Sequence, residues 1–219
     1  MMIHSILIAH IAVLGYWLGS ELVINSGFRF VSRAASMPFE ERSRLLDHVM
    51  DVDQHVRYAL ILQAGLGTML MALLGYLPGG AGTAWLAAAL TLAWLVLVEL
   101  THRYRKRPAG KTLAISDRGL RYALMAVTLV TACGSLLGPL SLPGWLAVKL
   151  ILFAGIIGCG LGIRFELIRY FRTWAFIERD GSTEQNERLL RQGYSRATAV
   201  LVLLWVFIVA IVLLSVFKP

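Results

Sequence analysis

Residues 197–217 read ATAVLVLLWVFIVAIVLLSVF, a run without a single ionisable side chain. A hydrocarbon core about 30 Å thick needs roughly 20 predominantly apolar residues in a helix that rises about 1.5 Å per residue, so this run is long enough to cross a bilayer. Five further stretches meet the same requirement, near 3–25, 57–77, 83–101, 120–138 and 144–166. Hydrophobic residues make up 58% of the 219, against about 45–50% in soluble domains, and a water-soluble fold has no interior large enough to hide that surface. The expected fold class is all-α: an integral membrane helical bundle of six transmembrane helices, with residues 1–219 forming one transmembrane domain.

Charge supplies the orientation. Arg29, Arg33, Arg42, Arg44 and Arg57 follow the first span, Arg103, Arg105, Lys106, Arg107, Lys111, Arg118 and Arg121 follow the third, and Arg164, Arg169, Arg172, Arg179, Arg188, Arg191 and Arg196 follow the fifth. Only Lys149 and Lys218 of the 21 basic residues lie elsewhere, and the connections around 78–82 and 138–143 carry none. The positive-inside rule makes the three basic connections cytoplasmic and both termini external, in a bacterial inner membrane. The net charge of +8 then records topology. A nucleic-acid partner is not expected, because that use requires basic residues gathered on one folded face with aromatics between them. The first span lacks a basic n-region and a small-residue cleavage site, so it reads as a mature helix.

Two cytoplasmic helical segments are expected. Pro38 is a favourable first helical residue, Glu40 and Glu41 suit the helix dipole, and Leu45, Val49, Val52 and Val56 form a stripe, giving a helix over 38–56 that runs toward the second span. Ser182 and Gln185 form a capping box opening a charged helix over 182–194. In the fifth span Gly155, Gly158 and Gly162 form a face that admits close helix approach, either within the bundle or against a second copy or partner subunit. The last span is expected to face lipid.

Ionisable groups inside spans cost a few kcal/mol and need a reason to be there. His10, Met69, Met71, Cys133 and Lys149 fall near one depth, about 10 Å from the outer ends at 1.5 Å per residue. His, Met and Cys donors suit Cu(I), or a haem iron with His or His/Met axial ligation. Cys133 and Cys159 lack metal-type spacing and imply no disulfide. Deeper toward the basic end, Glu21 shares a face of the first helix with His10 and Trp17. Glu99 and His102 are spaced to reach one metal, as in di-iron bundles, and His48, Asp51 and His55 line one helix face. Arg169 stands where a second Glu-x-x-His pair after Glu166 would need its histidine. Ion pairs of Glu99 with Arg103, and of Asp51 or Asp53 with Arg57, are the alternative account of this layer. No Ser/His/Asp set, phosphate-binding glycine loop or zinc motif is visible, so no catalytic residue is assigned and enzymatic activity stays open.

His10, Trp17 and Gly19 in HIAVLGYWLG (10–19), followed by a helix and then DQHVRYALILQAGLGTMLMALLGY (53–76), resemble the superfamily of the copper-resistance D (CopD) and HemJ-like membrane proteins, over the N-terminal third. The resemblance implies a helical bundle with His10 as ligand to haem b or copper and Lys149 as a second polar residue of that site. A protein that binds haem b or copper for electron transfer or metal handling is therefore the leading expectation. The alternatives are a proton- or ion-coupled transporter using His10, Glu21 and Lys149, and an assembly or anchor subunit of a larger membrane complex.

Overall fold

A computed structural model describes residues 1–105, 107–138 and 142–218. The described residues form six α-helices, each long and apolar enough to cross a membrane. These are α1 (Met2–Arg33), α2 (Phe39–Leu73), α3 (Gly80–Arg103), α4 (Pro108–Leu136), α5 (Gly144–Asp180) and α6 (Glu184–Phe217). Every span lies within one of these helices, and most helices run well past it at the basic end. The charged segments over 38–56 and 182–194 are continuous with α2 and α6 instead of standing as separate helices, because nothing at their junctions breaks the hydrogen-bond ladder.

Turn chemistry sets the ends. The Arg42 backbone N–H donates to the Pro38 carbonyl at 3.0 Å, fixing the first turn of α2 over Glu40 and Glu41. Gly79, at φ 87°, precedes α3, and the Thr83 hydroxyl closes that turn on the Pro78 carbonyl at 2.6 Å. Gly181 ends α5 at φ 86°. The cap of α6 is displaced by one residue from the expected capping box. Thr183 accepts from the Asn186 backbone N–H at 3.2 Å, while the Ser182 hydroxyl donates to the Glu187 carboxylate. Ser182 is drawn away because Glu187, two turns nearer the interior than Gln185's register allows, is the better acceptor.

The helices divide between two compact units, Met1–Gly27 with Ser43–Gly119 and Phe28–Arg42 with Leu120–Pro219. In the first unit α1 and α2 run antiparallel: Gln63 Nε2 donates to the His10 carbonyl at 3.1 Å, Tyr16 meets His55, and Gly27 lies under Val49. α2 and α3 are likewise antiparallel, through Gly65 against Thr91, Tyr58 against Glu99, and Gln54 Nε2 donating to the Val98 carbonyl at 3.3 Å. The Trp94 indole donates to the buried Asp117 at the start of α4, at 2.9 Å. Hydrocarbon gives apolar side chains no reason to leave it, so such helices hold together by close packing and by polar bonds of this kind.

In the second unit α6 lies along α5. Leu201, Leu204 and Ile208 are buried, whereas Val202, Val206, Val209 and Val216 are exposed, so α6 is lipid-facing on one side only. Gly155 and Gly162 receive Phe207 and Val200 of α6, which uses most of the expected glycine face inside the chain, while Gly158 meets open space. Cys159 is buried and Cys133 is exposed. At the basic end of this unit Phe28, Phe39, Tyr170 and Trp174 cluster around Arg42 and Glu187.

Candidate functional site

The polar side chains of the first unit concentrate where α1, α2 and α3 approach the arginine-rich connections. A groove of about 680 Å³ opens there, lined by Tyr16 from α1, Tyr58 and Leu62 from α2, and Leu95, Val96, Glu99, Leu100 and Arg103 from α3. Small-molecule sites typically occupy about 300–1,000 Å³ with apolar walls and a few convergent polar groups, and this groove has that composition.

Helical periodicity places the lining. Leu95 or Val96, Glu99 and Arg103 recur at three to four residues on α3, and Tyr58 and Leu62 are four apart on α2, so each set forms one stripe. From Leu95 to Arg103 the stripe covers about 12 Å of helix axis. Polarity is graded along it: aliphatic side chains lie toward the middle of the span, and the phenols, carboxylate and guanidinium lie at the basic rim. Val96 is 58% exposed, so the groove wall continues into the lipid-facing surface of α3.

Two hydrogen-bonded pairs crown the groove. Tyr16 Oη and His55 Nδ1 share a bond of 2.5 Å, with the rings edge to face at 5.8 Å between centroids. Tyr58 donates its hydroxyl proton to Glu99 Oε2, and Arg103 Nε donates to Glu99 Oε1 at 2.5 Å. The His55 and Tyr58 rings also meet edge to face. Beyond the rim, Asp51 accepts from Arg105 at 3.4 Å and lies 4.0 Å from His102 Nε2.

The residues singled out from sequence therefore fall into several environments. Of that set, the structure brings His55 and Glu99 to the one groove, through Tyr16 and Tyr58. His102 stands outside it beside Asp51, and Glu21 accepts from the buried Trp17 indole at 3.2 Å. The expected ion pairs form between Glu99 and Arg103 and between Asp53 and Arg57, the latter at 2.9 Å, and Arg169 pairs with Glu166 at 2.9 Å. Among the described residues no group of three or more His, Cys, Asp or Glu side chains is placed to hold a metal ion.

His10 lies higher on α1, against the bare backbone of Gly67. A Cβ there would stand 3.6 Å from His10 Cε1. Met71 is one turn beyond Gly67 on the same α2 stripe, and Met69 is turned about 200° from Gly67 at 100° per residue. Lys149 belongs to the second unit, where Nζ donates to Ser215 Oγ at 2.9 Å. Sequence reasoning missed Tyr16, Tyr58 and Arg103 as lining residues. Their signal was available as the four-residue spacing of Glu99 with Arg103, but nothing local announces that two tyrosines from other helices converge on it. Comparison of the chain with family models, with curated proteins and with solved structures returned no match.

Proposed function

We propose that this is a multi-pass membrane protein that takes a small amphipathic molecule from the bilayer into the groove between α1, α2 and α3, and that exchanges a proton with it or beside it. The reading belongs to the class of proton-coupled carriers and binding proteins. One observation carries it: an apolar groove open to the lipid-facing surface ends on two hydrogen-bonded pairs, Tyr16 with His55 and Tyr58 with Glu99. Histidine and carboxylate are the groups that hold and release protons near neutral pH, and a phenol between each of them and the groove is a conduit for that proton. Orientation follows the charge bias, with the groove rim cytoplasmic and both termini external in a bacterial inner membrane; a C-terminal periplasmic reporter fusion that stays inactive contradicts it.

Substituting Val96→Trp fills the groove from its lipid-facing wall without touching the polar pairs. A bound amphiphile in about stoichiometric amount is expected in organic extracts of the purified parent, identified by mass spectrometry, and is expected to be lost from the variant. Identical extracts from both proteins contradict the reading.

His10 supports a second reading, toward copper or haem b. Its packing on Gly67 puts it beside the α2 stripe that carries Met71, and an imidazole with a thioether is a donor pair that suits Cu(I) or a His/Met haem iron. When bound, such a group supplies one-electron chemistry, and His10 and Met71 are the residues that hold it. Elemental analysis and an absorbance spectrum of parent and His10→Ala protein decide this reading independently of the groove.

A further inference from the structure

We infer that the groove selects a neutral amphiphile whose head donates a hydrogen bond, of the quinol or phenol class, over the matching quinone. This rests on the reading that the groove is a ligand site and names the chemistry of its occupant.

The inference follows from counting donors and acceptors at the rim. A phenol has one donor and two lone pairs, and Tyr58 spends its donor on Glu99. An ionised carboxylate only accepts. Glu99 takes Tyr58 on one oxygen and Arg103 on the other, which leaves both carboxylate oxygens with further accepting capacity and no proton to give. The Arg103 side chain is 70% exposed, so its remaining N–H groups sit in solvent and not over the groove. Tyr16 and His55 share one proton and can face a ligand as donor or acceptor, depending on the imidazole tautomer. Acceptors therefore exceed donors where the head of a ligand would lie.

Charge excludes the commonest alternative. Glu99 and Arg103 neutralise one another at 2.5 Å, so an incoming carboxylate or phosphate finds no unpaired cation in the lining and stands beside Glu99. A hydroxyl group meets Tyr58 and Glu99 as acceptors, whereas a quinone carbonyl sets acceptor against acceptor. The three rings of Tyr16, His55 and Tyr58 present edges and faces to a flat head, and Leu62, Leu95, Val96 and Leu100 continue below it for an alkyl or isoprenoid tail.

The test uses the full chain in detergent, titrated anaerobically with a decyl-tailed benzoquinol, with the benzoquinone of identical tail, and with decanoate, each followed by calorimetry. The quinol is expected to bind at least ten-fold more tightly than either competitor, about 1.4 kcal/mol. The doubly substituted Tyr16→Phe/Tyr58→Phe protein, checked by circular dichroism, is expected to lose most of that preference, and Val96→Trp to lose binding. Equal or tighter binding of the quinone or of decanoate overturns the donor-head inference, as does a preference that survives the double substitution. Absence of quinol binding overturns it too, while the extracted amphiphile separately decides whether the groove is a ligand site at all.

Discussion

Arg42 belongs by sequence to the positive charges that orient the chain, yet its side chain is 2% exposed. Its Nη1 and Nη2 donate to the two oxygens of Glu187 at 2.7 and 2.8 Å, Nε donates to the Val31 carbonyl at 2.7 Å, and the guanidinium lies 5.1 Å from the Trp174 ring centre. Such bidentate, fully bonded geometry is what allows a charge pair to be buried, and removing one partner strands the other. Arg42→Met is expected to cost about 3–5 kcal/mol, and Arg42→Met with Glu187→Leu to recover most of that, measured by equilibrium unfolding in mixed micelles. A single variant as stable as the parent contradicts this account of the clamp. The pairs Glu99 with Arg103 and Asp53 with Arg57 were legible in the sequence because an i,i+4 spacing on a helix guarantees proximity. Arg42 with Glu187 was not, since no periodicity links positions on α2 and α6.

Glycine makes the same point for the helices. Gly65 faces Thr91 so closely that a Cβ would fall 2.0 Å from its hydroxyl oxygen, and the hydroxyl is itself held to the Ala87 carbonyl at 2.7 Å. Gly19 has no atom within 4 Å of its Cβ position. Gly65→Ala is therefore expected to destabilise by about 1–3 kcal/mol, partly relieved by adding Thr91→Ala. Gly19→Ala should be neutral, or stabilising by up to about 1 kcal/mol through helix propensity. The same unfolding assay reads both, and equal responses contradict the α2–α3 packing. Apolar length located all six helices and proline and glycine located their ends, because those signals act within a few residues. Which glycine is spent on a neighbour depends on helix rotation, and the sequence reports rotation only where polar and apolar residues alternate. In hydrocarbon that alternation fades: most of α6 is apolar all round, and its buried stripe of Leu201, Leu204 and Ile208 has the same composition as its exposed side.

For the molecule as a whole, six membrane-spanning helices follow from composition and length, but the site does not. His55 and Glu99 were legible as polar residues out of place near the ends of spans, each with a cost that demands a partner. That they meet Tyr16 and Tyr58 around a lipid-open groove depends on the register of three helices, fixed by long-range bonds such as Gln63 to the His10 carbonyl and Gln54 to the Val98 carbonyl. An experimental structure of the full chain in lipid nanodiscs, without added ligand, tests the central claim most directly. The expected result is elongated density in the groove, its broad end against Tyr58 and Glu99 and its tail along Leu62 and Val96. A groove closed by its own side chains, with Val96 and Leu100 packed against α2 and no density between them, would contradict the claim.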